Sequence, residues 1–461
     1  MPKKYHINTK NALMDFDYVY KFKITRGENC INCGKCTKVC IYEAHKRRTD
    51  DPRKMADPDT VVCRNCFRCI QECPRGALEK SIEKEFANIG GSYWKADTLL
   101  SLWKQAEDGK VPVSGAGYRG PFTGPGFDGM WTDMSEIVRP TRDGISGREY
   151  ISTAVNLGRK LNHLVFNTEG KLTSNVPHTI DIPLPILFDV TSFDLSPAVK
   201  EALLKAAVIV GTCVIMPAED ITPEYVKYLD NIIPSLAYHD VDKYETFLKK
   251  ARFAAIQYSD VMLNSLPSMM KKINEMSPAI VIIRIPATKD VESCVNAMAH
   301  NGAEVIHIVA DYRGEEIGGK RLLRDIIRAA HQRLVDDGIR DEVTLIASGG
   351  IAMAEQVPKA MLCGADLTAV DIPLMVALGL RIYEKPEKML TWPEGLDKMP
   401  AELLIQRMVN LIGAWHHQIL EMMGAMGIRE ARRLRGETGR AIFFEEIDRD
   451  TFQKLFKAEK R

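Results

Sequence analysis

From about residue 183 onward the chain alternates short apolar runs, rich in Val and Ile, with longer stretches of helical periodicity. The runs fall at 185–190, 207–211, 254–258, 279–285, 304–310, 343–347 and 366–371. They lack the in-and-out alternation of half-exposed strands, and such continuous runs suit parallel strands covered by helices on both faces. Ser196-Pro197 and Thr222-Pro223 each offer a capping hydroxyl followed by a proline suited to a first helical turn. Seven candidate strands, one short of eight, predict an α/β fold: a (β/α)8 barrel over 181–400 with one weak strand hidden. An open doubly wound sheet is the alternative. Residues 401–461 form a tail that reads as strongly helical and ends in a charged helix.

The preceding part, 86–180, reads as a connecting arm. Residues 86–110 are helical in pattern, and 111–129 hold six glycines and three prolines, the composition of a loop. The run that follows is dense in Arg and Asp. It is either a surface loop held by ion pairs or an arm placing Arg139, Arg142 or Arg148 on an anionic cofactor or substrate.

Cysteine changes the picture for residues 1–85. Eight of eleven cysteines fall in two matching runs, Cys30, Cys33, Cys36, Cys40 and Cys63, Cys66, Cys69, Cys73, each spaced C-x₂-C-x₂-C-x₃-C. That is the spacing of a two-cluster bacterial ferredoxin, whose fourth cysteine ligates the other cluster. The expected sets are therefore crossed: Cys30, Cys33, Cys36 and Cys73 on one 4Fe–4S cluster, and Cys63, Cys66, Cys69 and Cys40 on the other. Zinc modules usually use paired C-x₂-C units separated by a longer loop, and disulfides need an oxidising compartment that nothing here signals. Ile41 stands where a proline usually follows the fourth cysteine, whereas Pro74 closes the second run. Cys213, Cys294 and Cys363 stand apart in apolar contexts and read as buried free thiols.

Composition adds boundaries. With 461 residues, 45% hydrophobic, 27% charged and a net charge of +1, the chain has room for two or three domains. Nothing points to nucleic acid or to a polybasic membrane anchor. No run approaches the roughly 18–20 apolar residues of a membrane span. The polar N-terminus has no signal-peptide core, so a cytoplasmic location is expected, with membrane association only through a partner. The charged insert at 46–54 is either a solvated loop or a docking patch for an acidic redox partner.

Within the barrel pattern the sharpest motif is Ile346-Ala-Ser-Gly-Gly-Ile351, at a strand end, followed by Cys363-Gly-Ala-Asp366 and the next run. Barrels that bind phosphate use backbone N–H groups of the loops after the last strands, and glycine lets the backbone come close. Ser348, Gly349, Gly350 and Gly364 are thus phosphate-site candidates, against the alternative of a tight strand-to-helix turn. Asp311, Asp371 and His239, at predicted strand ends, are candidate catalytic groups. His307 either points into the barrel or packs beneath a helix. Of His416-His417, one is expected to be packed.

The runs Gly338-Ile-Arg-Asp-Glu-Val-Thr-Leu-Ile-Ala-Ser-Gly-Gly-Ile, Ala360-Met-Leu-Cys-Gly-Ala-Asp and Pro373-Leu-Met-Val-Ala-Leu-Gly379 resemble the FMN-binding barrel of the glutamate synthase large subunit. So does Met423-Gly-Ala-Met-Gly-Ile-Arg-Glu-Ala-Arg-Arg-Leu-Arg-Gly436. A short form of that family, carrying an N-terminal two-cluster module, resembles residues 25–440. The resemblance implies FMN phosphate at Gly349-Gly350 and the next loop. It also implies a flavin ring over the strand ends, a basic side chain at its N1–C2=O edge matched by Arg284, and a hydroxyl matched by Thr191.

The departures bear on activity. Asp189-Val-Thr-Ser-Phe-Asp194 places Phe193 where the family has a glycine, and Ala310 through Gly319 replaces a glycine-rich loop. The family's Gly-Glu-Gly-Gly segment has no counterpart after Gly211, where Met216-Pro-Ala-Glu219 is nearest. Residues 371–461 contain no cysteine, which excludes a 3Fe–4S cluster held there. No glutaminase nucleophile follows Met1, and no strand–GxGxxG–helix marks a hydride-donor site. Electrons are then expected through the cysteine-rich module or a partner. Three readings follow: an electron-transfer subunit of a larger anaerobic redox complex, with other redox subunits or ferredoxin as partners; a ferredoxin-dependent glutamate synthase component; or a flavin-free structural barrel.

Overall fold

The computed structural model describes residues 5–14, 19–60, 62–111, 124–133, 151–161, 163–174, 176–384, 389–453 and 455. Arg139, Arg142 and Arg148 lie outside these residues. The chain divides into two compact units. One comprises Met1–Met14, Ser101–Gly379 and Glu394–Arg461; the other comprises Asp15–Leu100 and Leu380–Pro393.

The larger unit is built on a closed barrel of eight parallel strands. In chain order these are Ile186–Asp189, Val214–Pro217, Ile232–Ala237, Phe253–Gln257, Ile280–Pro286, Val305–Val309, Thr344–Ser348 and Leu367–Val370. Six match the expected runs. The run at 207–211 does not: it closes the helix Pro197–Val210, whose Ser196 Oγ accepts from Val199 N–H and whose Gly211 ends it at φ 75°. Val208 and Ile209 are 46% and 56% exposed, as suits a helix end and not a buried strand. A short apolar run alone does not separate these two states. Two strands were hidden, Val214–Pro217 and Ile232–Ala237. Each contains a proline, Pro217 and Pro234, which on sequence alone argues against a central strand.

The long helix Ala401–Ala425 buries Trp415 and Arg407 completely. Arg407 is tolerated because its guanidinium donates to three carbonyls, Ala377 O at 2.6 Å, Ala12 O at 2.9 Å and Trp103 O at 3.5 Å. Beyond this helix the tail turns irregular, and Ala441–Phe443 forms a strand paired antiparallel to Met130–Thr132. The tail is thus interrupted after residue 425 and becomes helical again in the charged stretch 444–452.

Among its described residues the smaller unit carries the antiparallel pairs Phe22–Arg26 with Leu78–Ile82 and Arg381–Tyr383 with Met389–Thr391, and the short helices Lys35–Val39, Arg68–Gln71 and Lys84–Asn88. Its apolar core is small: Ile24, Met55 and Leu78 with the thiol-bearing Cys36 and Cys69.

Candidate functional sites

The cysteine runs fold as two copies of one loop. Asn32 and Asn65, each between the first two cysteines of its run, sit at φ 56° and 55°. Asparagine is among the few side chains that accept this left-handed region. Each Asn Oδ1 lies near the first thiol of its run, Cys30 Sγ at 3.9 Å and Cys63 Sγ at 3.8 Å. After the second cysteine the chain again turns left-handed, at Gly34 (φ 73°) and at Phe67 (φ 60°). A phenylalanine there is costly. Packing holds it: the Phe22 ring meets Phe67 edge-on at 5.2 Å, and Lys80 Nζ lies 4.8 Å from the ring centre.

Two cavities result. One, of about 310 Å³, is lined by Cys30, Cys33, Cys36 and Cys73 together with Arg26, Met55 and Pro74. The other, of about 300 Å³, is lined by Cys40, Cys63, Cys66 and Cys69 with Tyr42, His45 and Phe67. Each thus takes three thiols from one run and the fourth from the other, the crossed sets expected from spacing. Among the described residues no three His, Cys, Asp or Glu side chains form a site for a single metal ion. Four thiols ranged around a cavity are a donor set that fits an iron–sulfur cube.

In the barrel, the expected residues separate into three places. Arg284, on the fifth strand, is 8% exposed; its Nη2 donates to Asp189 Oδ2 at 2.7 Å and to Thr191 Oγ1 at 3.1 Å. The first and fifth strands have three strands between them on either side of the ring, so this ion pair crosses the barrel. Thr191 N–H and Oγ1 also donate to Asp189 Oδ1, at 3.1 and 2.7 Å. Burial pushes the Asp189 carboxyl up, but Arg284 and then the neighbouring groups outweigh it and hold the carboxyl below its ordinary range. Next to Arg284 in the ladder, His307 is fully buried and its Nε2 lies 2.8 Å from Ser348 Oγ. Burial, reinforced by Arg284, pushes His307 down to about 3, so it is neutral. Among the described residues, Arg284 Nη1 and His307 Nδ1 are buried without a partner.

Gly349 and Gly350, at φ 101° and 65°, lie against the chain's own loop after the sixth strand. A Cβ at 349 would sit 2.6 Å from Asp311 O, and one at 350 would sit 2.4 Å from Gly314 N. Asp311 Oδ1 is committed to that loop, accepting from Arg313 N–H at 2.8 Å and Glu315 N–H at 2.7 Å. The next amides are also taken: Gln356 Oε1 accepts from Ala352 N–H at 2.6 Å and Met353 N–H at 3.4 Å.

The third place is remote from this mouth. Gly364 stands in the turn that enters the eighth strand, at the opposite end of the barrel, and is corrected as a partner of the Ser-Gly-Gly turn. Its φ of 119° serves close packing on His331, and its carbonyl accepts from Arg340 Nη2 at 2.6 Å. Asp371 occupies the N-cap of the helix Ile372–Ala377. The His239 side chain is 81% exposed in the turn Tyr238–Asp240 and does not line the barrel interior.

Against the needs of FMN, the two ends of the barrel site differ. Arg284 Nη1, a buried donor lacking an acceptor, fits a flavin ring edge. At the phosphate end, the backbone of the loop after the sixth strand packs where a Cβ at 349 or 350 would stand, and the Ala352 and Met353 amides donate to Gln356 Oε1. Asp189 and Arg26 were missed from sequence. Their signals were an acid ending a strand and an arginine four residues before Cys30.

Other thiols and histidines behave as packed groups. Cys213 and Cys363 are buried, and burial pushes both up to about 12. Cys294 is half-buried. Thr153 Oγ1 donates to Pro183 O at 2.8 Å, so His416 Nε2, 3.2 Å from it, is the donor in their contact. Among the described residues no helix is long and apolar enough to cross a membrane.

Fold and site together define a (β/α)8-barrel protein with a two-cavity, eight-thiol module. Residues 251–429 match the conserved region in glutamate synthase. The archaeal glutamate synthase [NADPH] of Archaeoglobus fulgidus is 26% identical over 89% of this chain and 91% of its own length. The archaeal-type glutamate synthase [NADPH] of Dehalococcoides mccartyi is 24% identical over 90% and 94%. A flavocytochrome b2 mutant with pyruvate bound aligns at a TM-score of 0.42 and 10% identity, covering 69% of this chain and 88% of that one. Along about nine-tenths of its length the chain is thus similar to archaeal-type glutamate synthases, and this similarity supports an oxidoreductase.

Proposed function

We propose that this protein is a glutamate-synthase-type iron–sulfur flavoprotein acting as an electron-transfer subunit of a larger redox complex. The observation that carries this reading is the crossed arrangement of four thiols around each of two cavities. Bound there, two 4Fe–4S clusters would supply one-electron chemistry, and FMN, the flavin that family kinship supports, would link it to two-electron chemistry. The chain's own tasks are then to hold and to tune. Cys30, Cys33, Cys36 and Cys73 hold one cluster, and Cys40, Cys63, Cys66 and Cys69 the other. Arg284 and Thr191 would hold the flavin ring, with Arg284 offering its unpaired Nη1. His307, neutral and bonded to Ser348, adds no second charge beside Arg284. The partners are other redox subunits or ferredoxin, in the cytoplasm.

A second reading is supported by the relatives' names and by their coverage of about nine-tenths of this chain: reductive amination of 2-oxoglutarate. The first reading leads because the loop after the sixth strand closes on the Ser-Gly-Gly turn and Arg284 is already paired. Anaerobic purification followed by iron, sulfide and released-flavin analysis tests the cofactors. About one FMN and two four-iron clusters per chain, with no glutamate from reduced viologen, 2-oxoglutarate and ammonia, is the expected result. Glutamate turnover would favour the second reading, and absence of flavin would reduce the barrel to a scaffold.

A further inference from the structure

The two thiol cavities are built alike but charged differently. In the first, Arg26 Nη1 lies 3.4 Å from Cys30 Sγ and 3.9 Å from Cys36 Sγ, with Nη2 4.0 Å from Cys36 Sγ. The guanidinium is fixed from behind: Nε and Nη2 donate to Ala56 O at 3.2 and 3.0 Å, and Nη2 to His45 Nδ1 at 3.4 Å. In the second cavity the basic side chains are the exposed Arg64 and Arg68, which water and salt screen, and the buried His45, whose Nδ1 faces Arg26 Nη2. Among the described residues no cationic nitrogen hydrogen-bonds Cys40, Cys63, Cys66 or Cys69; the thiol contact there is Cys63 with Asn65, mirrored by Cys30 with Asn32. Among the described residues two contacts break the symmetry: Ala77 N–H donates to Cys73 Sγ at 3.3 Å, and Arg26, the charged one, reaches Cys30 and Cys36.

We propose that Arg26 makes the two clusters unequal, so that the one held by Cys30, Cys33, Cys36 and Cys73 accepts an electron more readily than its neighbour. This rests on the two-cluster reading above. An added electron places negative charge partly on the ligand sulfurs, and a guanidinium donating to two of them stabilises that charge. Hydrogen bonds to sulfur, local charge and solvent exposure are the levers that set such potentials. An electron supplied by an external one-electron reductant therefore settles at the first cluster, with no bond made or broken. This also assigns a direction inside the module: the second cluster is the donor and the first the acceptor.

The test is a potentiometric titration of the whole, anaerobically purified chain with dithionite, followed by electron paramagnetic resonance, for the unmodified protein, Arg26→Gln and Arg26→Lys. Cys66→Ser, which alters an exposed ligand of the second cavity, marks that cluster's midpoint. The expected result is two separate midpoints, with the higher one falling in Arg26→Gln by about 59 mV or more, a tenfold change for a one-electron couple. The Cys66-marked midpoint stays in place, and Arg26→Lys, which keeps charge but loses the fork, falls between. Full iron with both midpoints unmoved in Arg26→Gln overturns the proposal and leaves the two-cluster reading standing. Movement of the Cys66-marked midpoint instead also overturns it. If Arg26→Gln loses iron, Arg26→Lys decides on the same criterion. Iron well short of about eight per unmodified chain removes the cluster reading and this inference with it.

Discussion

Arg284 and Asp189 meet across the interior of the barrel, Nη2 to Oδ2 at 2.7 Å, with both side chains 8% exposed. The pair neutralises within the barrel a cation that the resemblance in sequence assigns to a flavin edge alone. Arg284 keeps one unpaired donor, so any acceptor it meets faces a guanidinium already compensated by a carboxylate.

Removing one partner should cost much more than removing both. Asp189→Asn leaves a buried cation and is expected to destabilise the barrel by about 3–5 kcal/mol, whereas Asp189→Leu with Arg284→Met should come out near neutral. Denaturant unfolding followed by circular dichroism distinguishes the two outcomes. Equal losses in both variants would mean that packing, not charge, holds this layer.

Acid should loosen the barrel before its carboxylates titrate. Burial pushes His416 down to about 4 and His307 to about 3, while an unfolded histidine titrates near about 6.5. Between those values the unfolded chain binds more protons than the folded one, so stability is full above about pH 6.5 and falls as pH drops toward 4. His416→Gln, retaining a donor toward Thr153, should flatten that slope by an amount on the order of 2–3 kcal/mol at pH 4. An unchanged slope in a pH series of thermal melts would refute the assignment.

Gly350→Ala should act through the fold. Its Cβ would meet Gly314 N at 2.4 Å in a left-handed backbone, so a loss of roughly 1–3 kcal/mol is expected. Flavin content per folded chain should hold. Lost flavin at full stability would instead make the turn a phosphate cradle.

Crossed ligation predicts a crossed phenotype. Cys40→Ser should perturb the resonance signal shared with Cys63→Ser, and Cys73→Ser the one shared with Cys30→Ser. The reverse pairing would show that each run holds its own cluster.

Legibility followed the range of the interactions. The strands at 254–258, 279–285 and 304–310 were readable because complete burial leaves an unbroken apolar run. The strands holding Pro217 and Pro234 were not, because only closure of the ring makes a proline-bearing segment a barrel stave. The helix end at 207–211 was misread since five apolar residues satisfy either period.

The sequence by itself determined the eight thiols and their two matching runs, and it predicted their crossed sets and the barrel class, because local spacing and burial pattern are properties of the chain alone. Only the tertiary structure decided the partners of the charged residues. Arg284 finds Asp189 because the ring puts strands one and five opposite each other, Gly364 falls at the far end of the barrel, and Arg26 reaches Cys30 and Cys36 through the fold of the smaller unit. Contacts across 95 positions of sequence are set by topology, and spacing carries no trace of them.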